Sequence, residues 1–85
     1  GTDTMPETAR YLHRLSRQVG ERAVVLTGAM RPYTLGNSDA PMNLASAVAY
    51  SRLLDPGVYV AMNGRYFDAD NVRKDKALGI FTELQ

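Results

Sequence analysis

The sequence predicts an α/β fold in which a parallel sheet is covered by helices. Residues 23–27 and 58–62 are short, continuous apolar runs with two valines each, a pattern typical of strands that are buried on both faces. A segment with helical spacing precedes each run, over residues 4–19 and 38–54. Because short connections join helix, strand, helix and strand in that order, we expect βαβ units and part of a three-layer, Rossmann-like or flavodoxin-like domain.

The first helix is predicted from its start signal and its apolar face. Thr4 and Glu7 have the spacing of a capping box, and Pro6 is tolerated in a first turn. One face of the helix is apolar and consists of Met5, Ala9, Leu12, Leu15 and Val19. The segment is therefore predicted to be an amphipathic helix with one buried face.

The second helix is apolar around much of its circumference. Ser38 or Asp39 can cap its start, with Pro41 in the first turn, and Asp-Pro-Gly at residues 55–57 ends it. A helix of this kind is typically buried on more than one side. We therefore expect the sheet to cover one side, with another subunit as the candidate for a second.

The last third of the chain carries one clear signal. Asn63-Gly64 is a strong turn sequence, and residues 65–67 are predicted to form a short strand after it. The tail to Gln85 is weakly patterned, and no further element is predicted there.

Composition excludes several classes of function. The 85 residues are 45% hydrophobic and 22% charged, with a net charge of +1 and no basic block, so neither nucleic acid nor a membrane is predicted as a partner. No apolar run approaches the roughly 20 residues that span a bilayer. Cysteine is absent and there is one histidine, so no metal site is predicted.

Polar residues follow the strands at the positions where α/β sheets bind ligands. Thr2 and Asp3 precede the first helix, Ala29 follows the first predicted strand, and Asn63 follows the second. The carboxyl ends of parallel strands lie at one edge of a sheet, so these residues are expected to converge there.

A hydroxyl beside a carboxylate suggests amide hydrolysis at this edge. A threonine hydroxyl is a weak nucleophile that needs a base or a nearby cation, and a partly desolvated lysine can serve. Lys74 and Lys76 are the only lysines. Asp3 can orient such a lysine or bind a substrate ammonium group. The simpler interpretation, that Thr2 and Asp3 only cap a helix, is the commoner role of such pairs.

Five ordered segments resemble the bacterial-type L-asparaginases of the asparaginase/glutaminase family. They are Gly-Thr-Asp-Thr-Met at residues 1–5, Val-Val-Leu-Thr-Gly-Ala-Met-Arg-Pro at 24–32, Ser-Asp-Ala-Pro-Met-Asn-Leu at 38–44, Met-Asn at 62–63 and Asn-Val-Arg-Lys at 71–74. The resemblance covers nearly the whole chain up to Lys74. It implies that residues 1–85 are the second half of the N-terminal domain, with the first strand and a Gly-rich loop absent.

The resemblance implies hydrolysis of the side-chain amide of L-asparagine, and to varying degrees of L-glutamine, to the acid and ammonia without cofactor or metal. It implies that Thr2, Asp3 and Lys74 form a catalytic triad beside the amide. Asp3 would also bind the substrate α-amino group, and Ala29 would contact the amide through its backbone. The family's nucleophilic threonine belongs to the absent Gly-rich loop. A homo-oligomer in the cytoplasm is expected, with the periplasm as the alternative compartment.

Two points leave alternatives open. Family members commonly carry a threonine-rich stretch after the triad lysine, whereas Asp-Lys-Ala-Leu-Gly follows here at residues 75–79, so Lys76 is a rival to Lys74. The second functional hypothesis is a catalytically silent asparaginase-like domain that binds a small amino acid or serves as an assembly subunit. A doubly wound domain with an unrelated ligand is a third.

The 85 residues alone are expected to be inactive, because the implied nucleophile lies outside them. The measurement is ammonia release from L-asparagine by this polypeptide beside its Thr2→Ala variant. Release above that of the variant would contradict the expectation.

Overall fold

A computed structural model describes residues 2–19, 22–31 and 33–85, except for the side chains of residues 16–19 and Tyr33. Two residues of the first two resembling segments, Gly1 and Pro32, lie outside the described part. The side chain of Val19, which is predicted to belong to the apolar face of the first helix, also lies outside it. The elements are α1 (Met5–Val19), β1 (Ala23–Leu26), a 3₁₀ turn (Tyr33–Leu35), α2 (Ala40–Leu53), β2 (Gly57–Met62), β3 (Arg65–Asp68), β4 (Arg73–Asp75) and β5 (Ile80–Thr82). Neither α1 nor α2 is long and apolar enough to cross a bilayer.

A three-stranded sheet in the order β1-β2-β3 organises the chain. β1 and β2 are parallel, with Ala23 opposite Gly57 and Leu26 opposite Val60. β3 runs antiparallel to β2. α2 connects the parallel pair, so β1, α2 and β2 form the predicted βαβ unit.

The apolar core lies between α1 and one face of this sheet. The alternate residues Val58, Val60 and Met62 of β2 are each no more than 3% exposed. They pack with Met5 and Ala9, two buried residues of α1. α1 therefore lies on this face, and its amphipathic pattern is confirmed at these two positions.

α2 lies on the opposite face. Tyr59 points away from Val60, because successive strand side chains alternate, and its ring contacts Tyr66 of β3 with centroids 5.9 Å apart. Tyr50 of α2 contacts the same Tyr66 ring at 5.1 Å. Helices thus cover both faces, and the predicted three-layer α/β arrangement with a parallel strand pair is confirmed.

Within this chain α2 is buried on one side only, and its predicted burial on a second side by another subunit stays a prediction. Only Asn43 and Ala47 of this helix are buried. Its large apolar residues remain between 48% and 79% exposed: Met42, Leu44, Val48 and Leu53. The physical reason is that α2 contacts the sheet along one side, and no other described element packs on its remaining surface.

The Asn63-Gly64 turn is confirmed, whereas the tail is more ordered than its pattern indicates. Asn63 and Gly64 have φ of 56° and 77° and connect β2 to β3, as a tight hairpin requires. The tail forms an antiparallel hairpin of β4 and β5. Strands of three residues are too short to show alternation, and this hairpin is held by the burial of Val72 and Phe81 in the core.

Val60→Ala is expected to lower the free energy of unfolding by about 2 kcal/mol, because two buried methyl groups are lost and a cavity remains. The same change at Val48, which is 48% exposed in α2, is the matched control. It is expected to stay within about 0.5 kcal/mol, since the higher helix propensity of alanine offsets the lost contacts. Urea unfolding followed by circular dichroism measures both. Equal losses would contradict the assigned core.

Candidate active site

The structure brings Thr2, Asp3 and Lys74 together. Thr2 and Asp3 lie just before α1, and Lys74 is the middle residue of β4. The Lys74 Nζ donates to Thr2 Oγ1 at 2.7 Å and to Asp3 Oδ1 at 2.5 Å. These partners are 72 and 71 residues away along the chain. The proximity is a finding, and the catalytic roles of the three residues stay predictions.

Lys74 is on a strand and not in a loop, and α1 helps to position that strand. Val72, two residues before Lys74, is fully buried. Its carbonyl accepts a hydrogen bond from Arg10 Nη1 of α1 at 3.0 Å. α1 thus holds the start of β4 through Arg10 and is preceded directly by the residues that Lys74 contacts. The Lys74 side chain is 15% exposed, whereas Asp3 is 60% exposed.

Lys74 also sets the charge state of Asp3. Its hydrogen bond, and then its positive charge, hold the pKa of Asp3 below the ordinary value of 3.8. Lys76 acts on the same pKa only as a charge and contributes less. The hydrogen bonds to Thr2 and Asp3 therefore come from Lys74, and Lys76 assists electrostatically.

An open cleft of about 460 Å³ lies beside Thr2. Its lining includes Thr2, Thr4, Met5 and Thr8, which lie before and in α1, and residues 26–29, which end β1 and begin the loop after it. Ala29 belongs to this lining, as the convergence of loops at the carboxyl edge predicts. The cleft therefore offers a hydroxyl and a backbone segment to one small ligand.

Two polar residues that the sequence analysis did not assign to the site hold the loop of Ala29. Asn43 is 1% exposed, and its Nδ2 donates to the Gly28 carbonyl and to Asp39 Oδ2, both at 2.8 Å. The sequence signal for them is a pair of polar residues four apart, a spacing that places both on the same face of a helix.

Asp39 takes the N-cap position of α2, but its side chain does not cap the helix. Its carboxylate instead accepts the backbone N–H groups of Met30 and Arg31, each at 3.0 Å. Burial alone would raise the pKa of Asp39, but these N–H groups and Asn43 lower it below its ordinary value. Ser38 Oγ accepts the Ala40 N–H at 3.1 Å. Of the two predicted caps, Ser38 therefore provides the helix contact.

Within residues 2–19, 22–31 and 33–85, no three His, Cys, Asp or Glu side chains lie close enough to hold a metal ion together. The prediction that the reaction uses neither metal nor cofactor stays a prediction.

Lys74→Met is expected to raise the pKa of Asp3 toward 3.8, because the hydrogen bond and the charge that lower it are removed. Lys76→Met, the matched control, is expected to leave most of the lowering. The measurement is a carbon NMR titration of the Asp3 carboxyl group. An unchanged Asp3 titration in Lys74→Met would contradict the contact.

The same change affects how stability depends on pH. Because the folded pKa of Asp3 is lowered, its contribution is present above the unfolded value and is lost as pH falls through the folded value. Lys74→Met is therefore expected to have a lower free energy of unfolding than the unaltered protein at neutral pH. When the pH falls below 3.8, the free energy of unfolding is expected to decrease less in this variant than in the unaltered protein. Urea unfolding over this range measures the difference.

Residues 1–82 match the family model described as Asparaginase, N-terminal. The L-asparaginase of Thermococcus kodakarensis is 41% identical over 80 residues, which are 94% of this chain and 24% of that protein. The solved structure of the thermostable L-asparaginase from Thermococcus kodakarensis gives a TM-score of 0.85 at 37% identity, over 98% of this chain and 26% of that chain.

Two further relatives show the same coverage. The glutaminase-asparaginase of Acinetobacter glutaminasificans is 43% identical over 77 residues, which are 87% of this chain and 23% of that protein. The probable periplasmic L-asparaginase of Haemophilus influenzae is 42% identical over 85 residues, with shares of 96% and 24%. The chain spans about a quarter of the length of these relatives. Because the family model matches nearly every residue, the chain belongs to the asparaginase family, within that family's N-terminal domain.

Proposed function

We propose that the complete protein carrying this chain hydrolyses the side-chain amide of L-asparagine, with L-glutamine as a second candidate substrate, to the acid and ammonia. The single observation that carries the proposal is the Lys74 Nζ bridging Thr2 Oγ1 and Asp3 Oδ1. The relatives named L-asparaginase and glutaminase-asparaginase support the substrate class. This chain would supply the threonine, aspartate and lysine half of the site.

Thr2 and Lys74 would move a proton during hydrolysis. The Thr2 oxygen accepts from Lys74 at 2.7 Å, so the Thr2 O–H is free to face the cleft. A positive charge this close favours negative charge developing on the Thr2 oxygen. As Thr2 gives its proton to the departing amide nitrogen, the Lys74 ammonium can replace that proton through this contact, so that the nitrogen leaves as ammonia and Lys74 becomes neutral.

Asp3 would bind the substrate α-ammonium group. Its carboxylate is ionised at neutral pH, and Lys74 lowers its pKa further below 3.8. Oδ1 is bound to Lys74, and Oδ2 can accept from a ligand. Ala29, which lines the same cleft as Thr2, would offer its backbone to the scissile amide. The α-ammonium group would thus be bound by Asp3 and the amide by Ala29. The separation of these two residues would set the length of the substrate.

Catalysis is favoured here over the silent binding domain or assembly subunit. An amino-acid binder needs the carboxylate of Asp3, but it has no use for a hydroxyl hydrogen-bonded to a lysine. The names of the relatives also describe enzymes.

Thr2→Ala and Lys74→Ala are each expected to lower ammonia release from L-asparagine by about 10²- to 10⁴-fold, the range of general acid–base catalysis. Lys76→Ala is the matched control and is expected to retain most activity. Ammonia production by the complete protein is the measurement, with L-glutamine as second substrate.

Each other result has a distinct meaning. Loss in Thr2→Ala and Lys76→Ala but not in Lys74→Ala would assign the triad lysine to Lys76. No ammonia from the unaltered protein with either substrate would refute the enzyme and leave the binding domain or assembly subunit.

Assembly and compartment complete the proposal. A homo-oligomer is proposed, supported by the exposed apolar residues of α2, such as Met42 and Leu53 at 68% and 79%. Sedimentation of the complete protein tests it, and a monomer at micromolar concentration would contradict it. The cytoplasm is the proposed compartment, with the periplasm as alternative because one relative's name places that protein there.

A further inference from the structure

We infer that Asp39 and Asn43 are positioning residues that fix the backbone of Ala29 for the substrate amide, an inference that rests on the proposed function. Neither side chain lines the cleft that Thr2 and Ala29 share. Both act through hydrogen bonds to the peptide groups on either side of Ala29.

Asn43 has one possible orientation, because its partners have opposite polarity. Its Nδ2 faces two acceptors, the Gly28 carbonyl and Asp39 Oδ2. Its Oδ1 accepts the Asn63 N–H at 3.0 Å. Exchanging the amide oxygen and nitrogen would oppose acceptor to acceptor and donor to donor. At 1% exposure no water can replace these contacts, so Asn43 rigidly joins the loop after β1 to the end of β2.

Asp39 holds the next part of the loop. Both carboxylate oxygens lie 3.0 Å from the Met30 N, and Oδ1 also accepts the Arg31 N–H at 3.0 Å. Hydrogen bonds to a charged acceptor are roughly twice as strong as neutral ones. Since Asp39 also accepts from Asn43, the two side chains form one clamp.

The clamp determines where the polar atoms of Ala29 point. The Gly28 carbonyl and the Met30 N–H belong to the two peptide groups that flank Ala29. A peptide group is planar and trans, so its C=O and N–H point in opposite directions. Holding the Gly28 carbonyl and the Met30 N–H against the clamp therefore turns the Ala29 N–H and C=O away from it. Ala29 can then present a fixed carbonyl acceptor to an amide N–H in the cleft.

A purely structural role explains these contacts less well. An aspartate at an N-cap ordinarily binds the first N–H groups of its own helix, and Asp39 does not. It reaches back nine residues to Met30. The helix loses a cap contact, and the loop of Ala29 gains a rigid support.

The test compares Asn43→Ala and Asp39→Asn with the unaltered complete protein. Each is expected to lower kcat for L-asparagine by about 10- to 100-fold, because a displacement of about 1 Å in a positioning group can cost 10²-fold. KM is expected to change by less than about threefold, since Asp3, which would bind the amino group, is not altered. Amide hydrogen exchange is expected to become faster at Met30 in both variants.

Tyr59→Phe is the control. The Tyr59 hydroxyl also donates to a backbone carbonyl, that of Asp55 at 2.7 Å. Asp55 lies before the start of β2, whereas Ala29 follows the end of the parallel strand β1. Tyr59→Phe is expected to keep kcat within about twofold, in the range of changes outside the site. Circular dichroism reports the folded fraction of every variant. Asp39→Asn keeps the shape of the side chain at residue 39. If Asn43→Ala fails to fold, the kcat of Asp39→Asn alone tests the inference.

Failure of the inference differs from failure of the proposed function. An unaltered protein that releases no ammonia refutes the function, and with it the amide role of Ala29. An active protein whose folded Asp39→Asn variant keeps kcat, or shows unchanged exchange at Met30, overturns the inference alone. An equal kcat loss in Tyr59→Phe also overturns it, because the effect would then be general loss of stability.

Discussion

Burial of β2 on both faces is the constraint on which the rest of the structure depends. Five of its six residues are buried, and it pairs with β1 on one side and β3 on the other. One face packs against α1, and the other lies toward α2. Because residues alternate along a strand, one run of apolar side chains is buried on both faces of the sheet. The position of β2 thus determines where the helices and the loops at its carboxyl end lie.

The candidate site consists of segments that this packing brings to one edge. Thr2 and Asp3 enter it because α1 lies on β2, and Ala29 enters it because β1 pairs with β2. Lys74 enters from a separate hairpin, whose contact with the core runs through Val72 and Phe81. No two of these segments share a local motif. Their convergence is a property of the tertiary fold, and it makes the distances in the site sensitive to core packing.

Two carboxylates at separate points of this site, those of Asp3 and Asp39, are compensated in different ways. Lys74 and Asp3 form an ion pair at the rim, where Asp3 is largely exposed, and solvent screens such pairs. Asp39 is compensated by backbone N–H groups and the Asn43 amide, with no cation among the hydrogen-bond partners that the described residues provide. The ion pair would suit the proposed binding of a charged amino acid and the proposed proton transfer. The neutral partners of Asp39 suit a site that must hold a loop still.

The sequence by itself determined the α/β class, both helices, the parallel strand pair and the Asn63-Gly64 turn, because apolar periodicity and turn chemistry are local properties. It also placed Thr2, Asp3 and Ala29 at one edge, since that follows from strand direction. Only the tertiary structure decided the hairpin of β4 and β5, whose short charged strands depend on distant core contacts. It also decided the exposed side of α2 and the clamp of Asp39 and Asn43, and it supplied the contact of Lys74 with Thr2 that the family resemblance implies. Each of these depends on side chains that meet across long stretches of chain, and no local pattern encodes such a meeting.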